Sequence, residues 1–267
     1  MPRISSPQNA RFKETVRLIE SSRERRKSGR CVLEGEHLIA VYAERIGAPE
    51  TLVVVEEALA SRGIAALAER VPPSDVLVVS ARMFAGIASL PADVGVLAVV
   101  RTPVATTPKP ASFCLLLEDI QDPGNVGTIL RTAAAAGVAQ VWLSTGSAFA
   151  WSPKVLRAAQ GAHFLTTIVE DVDLVAWSTM FRETGSHVAA LVAQDGADLY
   201  TTDLRWPLAL VVGNEGSGLS EALRAVADYR VTIPMPGATE SLNATAAAAV
   251  ALFECVRRQR AGSKQNR

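Results

Sequence analysis

Cysteine, histidine and aromatic residues are scarce in this 267-residue chain, and no run approaches the ~20 apolar residues of a membrane-spanning helix. Cys31, Cys114 and Cys255 are odd in number and widely spaced, with no CxxC pair and no histidine cluster beside them. That leaves a disulfide framework without support and gives a metal no ligand set. With aromatics at 5% and alanine abundant, the core is expected to be aliphatic. The opening MPRISSPQNARFKE lacks the apolar stretch of a secretory signal, and Glu14, Glu20 and Glu24 argue against an organellar transit peptide. A reduced, cytoplasmic protein with no membrane span is the expectation.

Net charge is also missing, since 27 basic residues balance 27 acidic ones. The balance hides a polarity. Residues 1 to 30 hold nine Lys or Arg against three acids, and residues 256 to 267 hold five against none. Basic ends on an acidic body suggest contact with a polyanion outside the main body, although solvated, frayed termini would look the same.

What the chain does contain is alternation. Phe12, Val16 and Ile19 recur at helical spacing among basic residues, which predicts one amphipathic basic helix over 9 to 28 with Gly29 as its stop. Its cations Arg11, Lys13, Arg17, Arg23, Arg25, Arg26 and Lys27, with Arg30 just beyond, are the candidate polyanion contacts. Strand-like runs follow at 31–33, 51–55, 76–80 and 96–100, with helices over 36–45 and 58–70. This first α/β unit ends near Arg101. Pro103, Pro108 and Pro110 then forbid regular pairing and mark 102–112 as a semi-rigid linker. Beyond it, strands are expected at 113–117, 140–143, 164–169, 188–191, 208–212 and 229–233, with a final helix from Ser241 to about Arg260. Nearly continuous apolar runs such as LALVV indicate a parallel sheet covered on both faces.

Three turns stand out. After FCLLLE, the residues Asp122, Pro123, Gly124, Asn125 and Gly127 form a dense turn signal leading into a helix that carries Arg131. Asn125 can accept from amides at the helix start, and the planar fork of Arg131 suits a phosphate, though an ordinary surface ion pair would serve as well. The second turn, GNEGSGLS, has the spacing Gly213-x-x-Gly216-x-Gly218, which is not the dinucleotide fingerprint. Its glycines imply positive φ or close ligand approach, or simply a tight loop, and Glu215 projects as an acceptor or weak base. The third, PMPGATESLN, runs from a rigid Pro-Gly turn into a polar helix start at Ser241 and Asn243, either of which could cap the helix. Turns at the carboxyl ends of parallel strands usually build one composite ligand site.

In this order the three turns resemble the SpoU, or TrmH-type, RNA 2′-O-ribose methyltransferases of the SPOUT superfamily. The family patterns N-x-G-x-x-x-R, G-N-E-x-x-G and P-M-x-G-x-x-x-S-L-N are met by Asn125 to Arg131, Gly213 to Gly218 and Pro234 to Asn243. SPKVLRAAQGAHF resembles the intervening segment, so the likeness covers about residues 113 to 260. ISSPQNARFKE onwards resembles, more loosely, the smaller substrate-binding domain that precedes the catalytic one in ribosomal-RNA members. One departure is SLNATAAAA, where many relatives carry valine and serine after SLN. It touches packing only.

The resemblance implies an α/β fold whose C-terminal domain (113–267) is a trefoil-knotted parallel-sheet methyltransferase, preceded by a smaller α/β RNA-binding domain (1–101). It implies a homodimer that binds S-adenosyl-L-methionine through backbone near Gly213, Ile233 and Leu242, with Glu215, Gly216, Met235, Ser241 and Asn243 around it. Arg131, either across the dimer or within its own chain, would be the leading catalytic residue, with Asn125, Glu215, Ser241 and Asn243 orienting hydroxyl and cofactor. Deprotonating an arginine at pH 7 costs about 7 to 8 kcal/mol, so a phosphate clamp is the competing role for Arg131. The substrate would be structured RNA, ribosomal over transfer RNA. Two readings compete: a knotted methyltransferase acting on a base nitrogen, and a non-catalytic RNA-binding or ribosome-assembly factor, against which the intact Asn125, Arg131, Glu215, Ser241 and Asn243 argue.

Overall fold

A computed structural model describes residues 1–88, 94–104, 109–237, 239 and 241–265, the last four by backbone alone. Residues 105–108 of the Pro-rich linker, and Ala238 and Glu240 of the third turn, lie outside the described residues. The chain divides into two compact units: residues 1–104 with Trp151–Phe164, and residues 105–150 with Leu165–Arg267.

The N-terminal unit is built on a five-stranded mixed sheet. Its strands are β1 (Arg3–Ile4), β2 (Arg30–Glu34), β3 (Thr51–Val55), β4 (Val76–Val79) and β5 (Val96–Arg101), in the order β1-β4-β3-β5-β2. β1, β4 and β3 run parallel, while β5 is antiparallel to both β3 and β2. Val53, Val55, Leu77, Val79, Leu97 and Val99 bury one face of this sheet with Phe12 and Leu18.

The helix expected over 9 to 28 is broken in two, α1 (Ala10–Glu20) and α2 (Ser22–Ser28). Ser21 between them is extended, at φ −118° and ψ 112°, and its hydroxyl accepts from the Glu24 amide. A serine that caps the next turn competes with continuing the previous helix, and here the cap wins. Gly29, at φ 62°, ends α2 as expected. The remaining helices of this stretch are α3 (Glu36–Arg45), α4 (Arg62–Glu69) and α5 (Ala81–Ala85). Part of the helix expected over 58–70 is instead a 3₁₀ turn at Glu56–Ala60.

The C-terminal unit carries a seven-stranded, wholly parallel sheet. β6 (Phe113–Leu117), β7 (Gln140–Leu143), β8 (Thr167–Val169), β9 (His187–Leu191), β10 (Ala197–Asp198), β11 (Leu208–Val212) and β12 (Tyr229–Thr232) lie in the order β10-β12-β9-β11-β6-β7-β8. Every residue of β6 and of β11 is buried, as a strand covered on both faces requires. The sheet's helices are α6 (Pro123–Ala135), α8 (Leu174–Glu183), α9 (Glu221–Val226) and α10 (Ala244–Gln265), while α7 (Pro153–Ala159) belongs to the N-terminal unit.

Two expectations shift here. The strand expected from Phe164 starts only at Thr167, because Ala162–Phe164 forms a 3₁₀ turn whose Phe164 ring meets Tyr42 edge-on at 5.3 Å. The last helix begins at Ala244, so Ser241 and Leu242 stay in the turn before it.

Candidate functional site

Parallel strands deliver all their carboxyl ends to one edge of the sheet, which is where open α/β folds hold ligands. β11 sits between β6 and β9, and β12 lies beyond β9. The three motif turns, which follow β6, β11 and β12, are therefore neighbours, together with the turn after β9.

The loop after β11 has a closed geometry. Asn214 and Gly218 exchange backbone hydrogen bonds of 3.1 and 3.0 Å across its neck. A Cβ on Gly213 would fall 2.5 Å from the Gly218 carbonyl carbon, so only glycine allows that approach. Gly218 itself is left-handed, at φ 68°. Asn214 Oδ1 accepts from the amides of Gly216 (2.9 Å) and Ser217 (3.0 Å), while its Nδ2 donates to the Asp119 carbonyl at 2.7 Å. At the far end of the loop, the Ser220 amide donates to Glu118 Oε2 at 2.7 Å. Glu118 and Asp119, at the end of β6, thus hold both ends of the glycine loop. Asp119 is fixed in turn by Ser144, whose hydroxyl donates to Asp119 Oδ1 at 2.6 Å.

Glu215 leaves this loop toward the start of α6. Its Oε1 accepts from Asn125 Nδ2 at 2.8 Å and its Oε2 from the Gln121 amide at 3.4 Å. Burial works to raise its pKa, but the hydrogen bonds from Asn125 and from the Gln121 and Asp122 backbone outweigh it, holding the carboxyl below its ordinary range. The expected helix-capping role of Asn125 is corrected: Asp122 is the cap, accepting from the amides of Gly124 and Asn125. Asp122 wins because it occupies the extended position before Pro123, the first helical residue. Asn125 is thereby free to donate to Glu215.

A cleft runs along the same edge. Gly213, Glu215, Gly216, Ile233, Met235, Ser241 and Leu242 all line it, as do Ala244 and Ala247 of α10. Leu242 is 40% exposed, an apolar side chain held away from the core in the wall of a ligand-sized opening. Asn243 is not among the lining residues. Its Oδ1 accepts from the Thr245 amide at 2.8 Å and from the Thr245 hydroxyl at 2.5 Å, capping α10. Leu191, Val192 and Ala193 complete the wall at the end of β9. Sequence reasoning missed them, although the rule that picked the other turns applies equally to the VAQDG stretch after a recognised strand.

Arg131 is exposed and does not line the cleft of its own chain. It lies six residues beyond Asn125, about 9 Å further along α6 and about 120° around it. The chain's own fold therefore brings Asn125 and Glu215 together, and gives Arg131 no place in the lining of the cleft.

The basic residues of the first unit separate into distinct groups. Arg25 is corrected from a polyanion contact to a buried structural residue. It is 6% exposed and donates to the carbonyls of Leu18 (2.6 Å) and Ile19 (2.9 Å), and burial lowers its pKa. The break at Ser21 swings it inward onto the end of α1, whose last carbonyls lack helical donors. Arg11 pairs with Asp75, and Arg30 with Glu14 at 2.5 Å and Glu50 at 3.8 Å. Lys13, Arg17, Arg23, Arg26 and Lys27 are exposed. Among the described residues, no group of three or more His, Cys, Asp or Glu is arranged to hold a metal ion, and no helix is long and apolar enough to cross a membrane.

Residues 112–253 match the SpoU rRNA Methylase family, and residues 9–98 match the MRM3-like substrate binding domain. The chain is 34% identical to the Bacillus subtilis 23S rRNA (guanosine(2553)-2'-O)-methyltransferase RlmP, over 95% of this chain and 98% of that protein. It is also 34% identical to an uncharacterized tRNA/rRNA methyltransferase of Synechocystis, over 97% of this chain and 95% of the other. Among solved structures, the SpoU methyltransferase AviRb from Streptomyces viridochromogenes, in complex with AdoMet, matches with a TM-score of 0.83 at 27% identity. That match covers 94% of this chain and 98% of that one.

Proposed function

The chain belongs to the SpoU rRNA methylase family, and from that membership we propose that it transfers a methyl group from S-adenosylmethionine to a ribose 2′-hydroxyl of ribosomal RNA. The observation that carries the reading is the contact between Asn125 and Glu215, which ties the first motif to a cleft lined by the second and third.

The cleft's chemistry fits the cofactor. Ile233, Leu242, Ala244 and Ala247 offer an apolar wall for a flat ring, Ser241 offers a hydroxyl, and Glu215 offers an anion toward a cationic ligand. When bound, S-adenosylmethionine supplies an electrophilic methyl on a sulfonium, so the protein's share is to position the hydroxyl, exclude water and help its proton leave. Asn125 and Glu215 orient the hydroxyl at the mouth of the cleft, and Asn243 acts indirectly, by fixing the start of α10.

In this reading Arg131, exposed and not among the residues lining its own chain's cleft, serves the cleft of a second copy in a homodimer. There its fork pairs with the phosphate beside the target ribose, a role that avoids the cost of deprotonation. The exposed cations of α1 and α2, Lys13, Arg17, Arg23, Arg26 and Lys27, hold RNA phosphates. A trefoil knot, an RNA-binding region over 1–101 joined by a 102–112 linker to the methyltransferase region, and a cytoplasmic setting complete the reading.

The test is incubation of the protein with ribosomal RNA and methyl-labelled S-adenosylmethionine, followed by complete alkaline hydrolysis. Ribose methylation blocks cleavage at the modified nucleotide, so label is expected in alkali-resistant dinucleotides. Label in mononucleotides would mean base methylation, and no label would leave a binding protein.

A further inference from the structure

Pro7, α1 and α5 of the N-terminal unit frame a groove of about 770 Å³, within the range of clefts that enclose a drug-sized ligand. Val16, Met83 and Ile87 contribute apolar surface to it, and all three are partly exposed residues at the margin of that unit's core. Lys13 and Arg17, four residues apart on one face of α1, and Arg82 from α5 supply its positive charge. All three are exposed, and among the described residues none is in an ion pair or lies beside an acidic lining residue. Elsewhere on α1 and α2 the cations are partly spent, as the pairing of Arg11 and the burial of Arg25 show.

We propose that this groove seats an unstacked nucleotide of the substrate RNA, with its base against Val16, Met83 and Ile87 and the flanking phosphates on Lys13, Arg17 and Arg82. Duplex RNA offers a protein its phosphates and 2′-hydroxyls but hides its base faces, so it would leave the apolar floor uncovered. A splayed-out base covers that floor while its own backbone meets the cations. Methionine suits the task, since its flexible thioether adapts to different ring shapes. The proposal rests on the RNA methyltransferase reading and adds a residue, Arg82, that no motif points to.

The full-length protein is titrated with an RNA hairpin carrying an unpaired loop and with a fully paired duplex of equal length, across a range of salt. Lys13→Gln, Arg17→Gln and Arg82→Gln combined change only exposed side chains. Removing three single-strand phosphate contacts is expected to make the slope of log affinity against log salt shallower by about 2 for the hairpin. Met83→Gln keeps the charge but makes part of the floor polar, and should weaken the hairpin while sparing the duplex. In the unsubstituted protein, a photoreactive 4-thiouridine in the loop should cross-link to the peptide carrying Arg82 and Met83, whatever the stability of the variants. Unchanged affinity and slope in the triple variant, or cross-links only elsewhere, would overturn the proposal, including the case in which the groove takes a protein partner. If the unsubstituted enzyme methylates ribosomal RNA while the groove variants bind normally, the groove alone fails. If it neither methylates nor binds RNA, the functional reading fails with it.

Discussion

Asn125 and Glu215 stand 90 residues apart in sequence and meet at 2.8 Å, amide nitrogen to carboxylate oxygen. The contact joins the start of α6 to the glycine loop after β11, and so couples the helix that carries Arg131 to the wall of the cleft. Because Asn125 donates, it helps keep Glu215 ionised.

Replacing that donor should cost activity in a pH-dependent way. The folded-state pKa of Glu215 lies below its ordinary value, so the ionised, hydrogen-bonded form is present above that range and is lost as pH falls through the folded pKa. Asn125→Ala removes a bond that lowers the pKa, and the acid limb of the rate profile should move to higher pH. Asn125→Asp adds a like charge at hydrogen-bond distance, and kcat/KM at neutral pH should fall by about 10- to 100-fold, equivalent to about 1.4 to 2.7 kcal/mol. Steady-state methyl transfer from pH 9 down through the ordinary carboxylate range, to about pH 4, checks both. An Asp variant as active as the native enzyme would show that the contact is only structural.

Gly213→Ala tests the loop's closed neck. The added methyl would sit 2.5 Å from Gly218 backbone, which cannot rotate away as a side chain can. The neck must open, at a cost of about 1 to 3 kcal/mol. Since Gly213 also lines the cleft, calorimetry should show cofactor affinity falling further than the melting temperature alone would suggest.

The three thiols should be inert in the native protein. Burial pushes Cys31 and Cys255 up to about 12 and Cys114 up to about 11, so at pH 8 at most about one molecule in a thousand carries a given thiolate. Iodoacetamide at pH 8 is expected to label none of them until denaturant is added, and all three afterwards. Rapid labelling of Cys255 in the native protein would show that α10 opens locally.

The limits of sequence reading fall along a physical line. Strands such as Thr51–Val55, Phe113–Leu117, Gln140–Leu143 and Leu208–Val212 were legible to the residue, because a run buried on both faces is almost continuously apolar, only the opening Thr51 and Gln140 being polar. The break at Ser21 was legible in principle, since Ser21 with Glu24 three residues later is a capping-box pattern, but the basic periodicity on either side masked it. The inward turn of Arg25 follows from that break. Neither Glu118 nor Asp119 could be picked out as the anchors of the glycine loop, because their partners Ser220 and Asn214 lie 102 and 95 residues away and pairing over such distances leaves no periodic trace. The motif residues lining the cleft were found by family pattern, whereas Leu191 to Ala193 were missed because no motif marks them.

Arg131 poses the sharpest test, because its own chain leaves it exposed and outside the cleft that it is proposed to serve. If it acts on the partner's cleft, a complete site needs Gly213 from one copy and Arg131 from the other. Arg131→Ala and Gly213→Ala homodimers should then both be nearly inactive. When the two variants are mixed and allowed to exchange subunits, about half of the dimers are mixed, and each mixed dimer has one site with both native residues and one with neither. Activity should recover to roughly a quarter of the native level, the statistical share of intact sites under free exchange. If Arg131 serves its own chain, each site in a mixed dimer keeps one defect and nothing recovers. Arg131→Lys then separates its roles: methyl transfer lost with RNA affinity intact means that fork geometry or proton removal is needed, whereas both falling together means that the side chain clamps a phosphate.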